Sequence, residues 1–422
     1  MTIKRRIIAD LVSHLNKPEI TLLIGPRQVG KTTLLRSLQD HLRRSGQPTL
    51  FLSLDHEPDR KFFTSQLALI NCLQSEFGSR PGTAFIDEIQ MKENAGIFLK
   101  GIYDQNLPYK LVVSGSGSLE LKEKIHESLM GRKRIFTLYP LSFPEFVDLR
   151  TEYRYSDRLP EYFSIQTDYL RQYLQEYLNF GGYPKVVLQP TLAEKRQTLS
   201  EIYTSFLEKD LSYLLGIKKT AHAGHLVRLI ASQIGQPVVY SELSSTIGLD
   251  LKTLRNYLWY LEKIFVLAPT DPFFKNIRKE ITKSPLYYFL DLGLRNFARD
   301  ILGQAHLDSQ AGLLFQNFIH NHLLPLTELS PTHVRFWRTT DGAEVDFVLE
   351  RGPTPLPIEV KYQDLKKPVV PRSLKSFIRK YHPPTAYIIN LSLDHQVQVD
   401  TTKVVFLPYF HLDRLSDVRI NL

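Results

Sequence analysis

Eight residues, GPRQVGKT from Gly25 to Thr32, place two glycines, a lysine and a threonine at the spacing G-x-x-x-x-G-K-[ST], a pattern suited to holding phosphate. The glycines let the backbone curl until successive N–H groups, and the positive end of a following helix, face phosphate oxygens. Lys31 then reaches the β- and γ-phosphates, and the Thr32 hydroxyl is a ligand for magnesium. The expected nucleotide-binding residues are therefore Gly25, Pro26, Arg27, Gln28, Val29, Gly30, Lys31, Thr32 and Thr33, with ATP and Mg2+ as the expected cofactors. The flanks agree, because the apolar run ITLLI precedes the loop and the helical stretch TTLLRSLQDHL follows it.

Hydrolysis needs more than a phosphate cradle. Some 55 residues further on, TAFIDEI ends an apolar run with Asp87 and Glu88. Asp87 is placed to hold magnesium through water, and Glu88, one residue past the strand end, to orient or deprotonate the attacking water. The next apolar run, KLVVSGSGS, ends on Ser114 and Ser116. Either hydroxyl suits a contact to the γ-phosphate or the attacking water, and Ser116 is carried forward as the catalytic candidate. Downstream, MGRKRIF offers Arg132 beside Gly131. An arginine delivered to a neighbouring subunit's γ-phosphate stabilises transition-state charge, and Arg132 is the candidate for it.

A second set of chemical residues lies near the far end. Asp346 in GAEVDFVLE, and Glu359 with Lys361 in PIEVKY, put acids on two strand-like runs. Side chains alternate along a strand, so Glu359 and Lys361 share a face. Asp346 and Glu359 are candidate metal ligands, Lys361 a candidate for positioning water, and Glu344 lies on the Asp346 side. Between the two sets, residues 239–267 read as helix, turn at Gly248, then helix, with Leu251, Leu254, Leu258 and Leu261 at core spacing. Lys252, Thr253, Arg255, Asn256 and Trp259 are left for other faces. Arg and Asn suit base edges, and Lys suits phosphate. Lys275, Arg278, Lys279 and Lys283 follow on a β-wing-like stretch.

Four regions position these residues. Residues 1–150 alternate β-branched runs with helical stretches, the pattern of a parallel sheet wound with helices, which puts ligands at strand C-termini. Residues 151–215 turn Tyr/Leu-rich and helical, broken by GGYP at Gly181 to Pro184, and read as a helical lid. Residues 216–300 hold the helix-turn-helix pattern, and residues 301–422 mix one long helix with strand-like runs as a second α/β domain.

The stretches GPRQVGKTTLL, FIDEIQ, SGSGSLEL, GRKRIFTLYPLSFPEF, GGYPKVV, FLEKDL, YLWYLEKIFVLAP, KSPLYYFLDLGLRN, GAEVDFVLE and IEVKY together resemble the prokaryotic AAA+-type, archaeal-ATPase-like P-loop ATPases. The resemblance implies an α/β P-loop ATPase core with helical lid, a winged-helix segment and a C-terminal α/β domain similar to PD-(D/E)xK nucleases. It also carries a departure: Gln316 stands where that family generally has a helix glutamate. An amide keeps an acceptor oxygen but lacks the charge that holds a hard cation, which favours a domain that faces nucleic acid without cutting it.

Composition sets the frame. At 422 residues the chain exceeds one hydrophobic core. Lys plus Arg number 53 against 44 Asp plus Glu, a net +9, which suits DNA or another polyanion. The excess is uneven: residues 216–300 hold twelve basic and seven acidic side chains, whereas residues 301–422 hold thirteen and twelve. Cys72 is the single cysteine, so a reducing cytoplasm is expected. The N-terminal MTIKRRIIADLVSHL reads as an amphipathic helix, and no segment has the roughly 20 apolar residues of a membrane span. An ATPase acting on DNA, with self-association or protein partners and no membrane, is the reading that results. A nucleotide-gated regulatory scaffold and an active ATP-gated nuclease are the alternatives.

Overall fold

The computed structural model describes residues 3–116, 128–211, 221–273, 284–305, 309–327, 332–350 and 354–419. The chain divides into two compact units, each made of several segments: residues 1–141, 183–220 and 256–266 form the first, and residues 142–182, 221–255 and 267–422 the second. The boundaries read from sequence at 150, 215 and 300 are not where the units divide. Only the change of character at GGYP coincides with a division, where the helix Thr167–Phe180 ends on Gly181 at φ 72°.

The first unit is built on a five-stranded sheet in the order β2-β3-β4-β1-β5: β1 (Ile20–Gly25), β2 (Thr49–Ser53), β3 (Gly82–Asp87), β4 (Tyr109–Ser116) and β5 (Lys133–Thr137). Every pairing is parallel. β1 and β3 are buried along their whole length, as the unbroken apolar runs require of strands covered on both faces. Helices α1 (Ile8–His14), α2 (Lys31–Arg44), α3 (Gln66–Phe77) and α4 (Ala95–Tyr103) belong to this unit. The expected N-terminal amphipathic helix is α1, whose Leu11 joins Val29, Leu34, Leu35, Leu38, Phe136 and Leu138 in one core. The basic stretch after Gly131 forms the edge strand β5.

The register matters most. β4 lies between β1 and β3, with Gly25 opposite Ser116 and Ile86 opposite Val113. The C-terminal ends of three parallel strands are thus level at one edge, where ligands of such sheets bind.

The second unit holds an eight-stranded mixed sheet in the order β12-β13-β11-β10-β9-β8-β6-β7. Its strands are β6 (Leu267–Pro272), β7 (Leu286–Phe289), β8 (His333–Arg338), β9 (Glu344–Glu350), β10 (Leu356–Val360), β11 (Thr385–Asn390), β12 (His395–Val399) and β13 (Thr402–Pro408). The helix Arg372–Tyr381 buries Leu374, Phe377 and Ile378 with Val348, Ile388 and Phe406 of the sheet. β6 and β7, the second of which lies in the wing-like stretch, extend this same sheet, since β6 pairs with β8 at Asp271↔Arg335 and Pro272↔Phe336. Among the described residues no helix is long and apolar enough to cross a membrane.

Candidate functional site

The loop between β1 and α2 has the shape its residues predict. A Cβ on Gly25 would lie 2.3 Å from the carbonyl oxygen of Leu138, so only glycine passes there. Gly30 has open space around it but adopts φ +97°, a conformation that L side chains rarely adopt. Val29 is buried and anchors the loop in the core, whereas Gln28, at φ 59°, is exposed at its tip and Arg27 is half-buried. Lys31 begins α2, is 6% exposed, and donates through Nζ to the carbonyls of Gly25 (3.0 Å) and Pro26 (2.8 Å). Thr32 and Thr33 are exposed in the first helical turn, where backbone N–H groups have no intrahelical partner and favour an anion.

The acid strand meets this loop through its side chains. Thr32 Oγ1 donates to Oδ2 of Asp87 at 2.6 Å, and Ser114 donates to the other oxygen, Oδ1. Asp87 is 3% exposed. Hydroxyl and carboxylate in contact form an oxygen-only donor set that fits a hard divalent cation. Glu88 follows in a left-handed conformation, φ 58°, and accepts a hydrogen bond from Gln90. Burial pushes the Glu88 carboxyl upward, the Lys31 ammonium pulls it back down, and the Asp87 carboxylate adds to the rise. A carboxyl raised in this way suits a proton acceptor.

The choice between the two serines rests on register. Ser114 touches Asp87, whereas the Ser116 hydroxyl is buried with no hydrogen-bond partner among the described residues, and its backbone N–H donates to Gln90 Oε1 at 3.0 Å. Two residues that sequence reasoning passed over belong to this neighbourhood. Gln90 touches both the acid pair and β4. Arg5, 8% exposed, donates to the carbonyls of Val29 (3.2 Å) and Tyr139 (2.6 Å). Neither stands in a spacing pattern that would reveal it.

Arg132 is not brought to this site within the chain. It precedes β5, and Lys133 pairs with Ile20 at the start of β1, whereas Lys31 and Asp87 stand at the strands' far ends. Its Nε donates to Asp104 Oδ1 at 2.7 Å in a half-exposed ion pair.

In the second unit, Asp346 on β9 and Glu359 on β10 come together, as expected for adjacent strands. Lys361 and Gln316 join them, Gln316 from the helix Ala311–Thr327. Asp346 Oδ1 accepts from Gln316 Nε2 (3.0 Å) and Oδ2 from the Val360 N–H (2.7 Å). Lys361 Nζ donates to Glu359 Oε1 at 2.7 Å, and Glu359 Oε2 is buried with no hydrogen-bond partner among the described residues. Burial, then the Glu359 charge, holds the Asp346 carboxyl well above its ordinary range, and burial raises Glu359 against the pull of Lys361. Gln316, Asp346 and Lys361 line a cavity of about 480 Å³ with Arg338, Glu344 and Tyr362. Glu344, considered as an added ligand, is exposed and lies 3.8 Å from Arg338. Both Asp346 oxygens are taken by N–H donors, an ammonium holds Glu359, and the described residues contain no group of three His, Cys, Asp or Glu able to hold a metal ion. Asp346 and Glu359 thus share one buried site with Gln316 and Lys361.

The helix-turn-helix reading places Lys252, Arg255 and Asn256 exposed on the helix Leu251–Lys263, whose first turn is capped by Asp250 accepting from the Lys252 and Thr253 N–H groups. Leu254, Leu258 and Leu261 are buried, but Leu251, expected in the core, is 45% exposed. Lys275, Arg278, Lys279 and Lys283 lie outside the described residues.

Three families match the chain in succession: the AAA domain family over residues 17–147, and two families described as domains of unknown function over residues 171–305 and 311–410. An uncharacterized protein of Mycobacterium tuberculosis is 27% identical over 381 residues, covering 89% of this chain and 77% of that protein. An uncharacterized protein of Haemophilus influenzae is 22% identical over 374 residues, covering 86% and 87%. Among solved structures, the Aeropyrum pernix ORC1 protein in complex with DNA aligns with 73% of this chain and 96% of its own, at 14% identity and a TM-score of 0.33. At that score the likeness carries no argument. The AAA domain match and the parallel sheet with its phosphate loop agree on an AAA-type, P-loop ATPase-like core.

Proposed function

We propose that the first unit binds ATP with magnesium and hydrolyses it. The observation that carries this reading is the contact of Thr32 and Ser114 with the two oxygens of Asp87, with Glu88 one residue beyond. The loop N–H groups and Lys31 hold the phosphates, and Thr32 and Asp87 would hold magnesium. When bound, the ion supplies positive charge against the phosphate oxygens. Glu88 orients the attacking water and accepts its proton, and Ser116 offers a buried hydroxyl at the same edge.

Fluorescent-nucleotide binding and phosphate release on three proteins test this. Lys31→Ala is expected to lose ATP binding. Glu88→Gln is expected to bind ATP as wild type does and to lose turnover by about 10²- to 10⁴-fold. A wild-type chain that fails to bind ATP-magnesium, or a Glu88→Gln variant with undiminished turnover, overturns the reading.

DNA is the proposed partner. What favours it is the exposure of Lys252, Arg255 and Asn256 together on one helix, at the spacing of neighbours on a helical face. A salt titration of duplex binding tests it, and binding that is absent or insensitive to salt sinks it. Cleavage is not part of the proposal, because the helix brings Gln316 to Asp346, and an amide lacks the charge that holds a hard cation.

A further inference from the structure

Gln90 sits in the single-turn helix Ile89–Met91 that follows the acid pair, and its amide is engaged at both ends. Its Nε2 donates to Oε2 of Glu88, while its Oε1 accepts the backbone N–H of Ser116 at 3.0 Å. Few side chains can do both. A carboxylate would accept from Ser116 but repel Glu88, a lysine could only donate, and a serine is too short to span from the acid loop to the strand end. Glu88 is also held at φ 58°, a conformation uncommon for a residue with a side chain, which persists where its surroundings over-determine it. Gln90 is part of those surroundings. At its other end, Ser116 closes β4 opposite Gly25 of the phosphate loop.

We infer that Gln90 is a positioning residue: it ties the Glu88 carboxylate to the C-terminal end of β4, so that the proton acceptor and the strand end beside the phosphate loop are held as one unit. The inference rests on the hydrolysis reading and goes beyond it by assigning how Glu88 is kept in place. Two hydrogen bonds through one amide connect the strand that lies against the phosphate loop to the group that handles water. Displacement of either end is transmitted to the other.

Gln90→Ala removes both bonds. Gln90→Glu keeps the length and the acceptor for the Ser116 N–H but sets a second carboxylate against Glu88. Both variants are expected to lower kcat by about 10- to 100-fold, the scale of a misplaced catalytic group. The ATP dissociation constant should stay within about twofold of wild type, as for an interaction that acts on the chemical step. In the Glu88→Gln background, Gln90→Ala should lower the residual single-turnover rate no further, since the two residues then act as one. A scaffold role would lower it again. Wild-type kcat in Gln90→Ala, loss of ATP binding in parallel with kcat, or an additive effect in the double variant overturns the inference.

Hydrogen exchange separates this outcome from failure of the hydrolysis reading, because it needs no turnover. ATP-magnesium is expected to change exchange in the wild-type segments 87–91 and 110–116 together. In Gln90→Ala the change at 110–116 should remain while that at 87–91 is lost. Retention of both changes in the variant overturns the inference whether or not the wild type hydrolyses ATP.

Discussion

At the scale of single residues, the phosphate loop is constrained by different means at its two glycines. Gly30 is required by its backbone angle, with nothing near it, whereas Gly25 is required by a neighbour, the Leu138 carbonyl 2.3 Å from where a Cβ would stand. Gly25→Ala is therefore expected to destabilise the protein by about 1–3 kcal/mol, as overpacking against backbone does. Because the clash is at the root of the loop, ATP binding should fall as well. A denaturant melt and a binding isotherm on the same variant check both, and a variant with wild-type stability would show that Leu138 yields freely. The acid pair was visible as two letters after an apolar run. That Asp87 is gripped by two hydroxyls, one from α2 and one from β4, was not.

Secondary-structure elements carry a second lesson, in β6. The wing-like stretch begins only at its last residue, Pro272, yet β6 pairs with β8, and the Phe273 N–H that follows it donates to the Phe336 carbonyl at 2.6 Å. The Phe273 ring lies 6.1 Å from that of Phe377 and 5.3 Å from that of Tyr381, inside the core beneath the C-terminal sheet. Phe273→Ala is expected to cost about 3–5 kcal/mol of stability, the range for emptying a buried phenylalanine site. A guanidinium melt followed by tryptophan fluorescence reports it, because Trp337 lies in the same cluster. No change would mean that residue 273 belongs to a separate wing after all. β5 was not legible as a strand, because Lys133 and Arg134 interrupt the apolar pattern; an edge strand has one side open and tolerates them.

For the whole molecule, charge is the property that bears on a partner. The net +9 is concentrated in residues 216–300, which include the exposed Lys252, Arg255 and Asn256. If these side chains meet a duplex, the logarithm of the binding constant should fall linearly with that of salt concentration, by about 0.9 per phosphate contacted. Lys252→Ala should flatten that slope by about one contact. Equal slopes for variant and wild type would remove this helix from the interface.

By itself the sequence determined the phosphate loop, the acid pair and the succession of strands around them. Such features are local: eight contiguous residues between an apolar run and a helical one specify loop conformation and chemistry within a single window. The helix break at Gly181, the pairing of EVDF with PIEV and the amphipathic N-terminal helix were legible for the same reason. Tertiary structure alone decided which serine meets Asp87, because that depends on β4 lying between β1 and β3 in one register. It also decided that Arg132 stands at the opposite end of the sheet from Lys31, that Gln90 reaches Ser116 twenty-six residues away, and that Gln316 and the Val360 N–H both donate to the Asp346 carboxylate. Strand order and register are set by packing between segments far apart in the chain, and no window of sequence contains them.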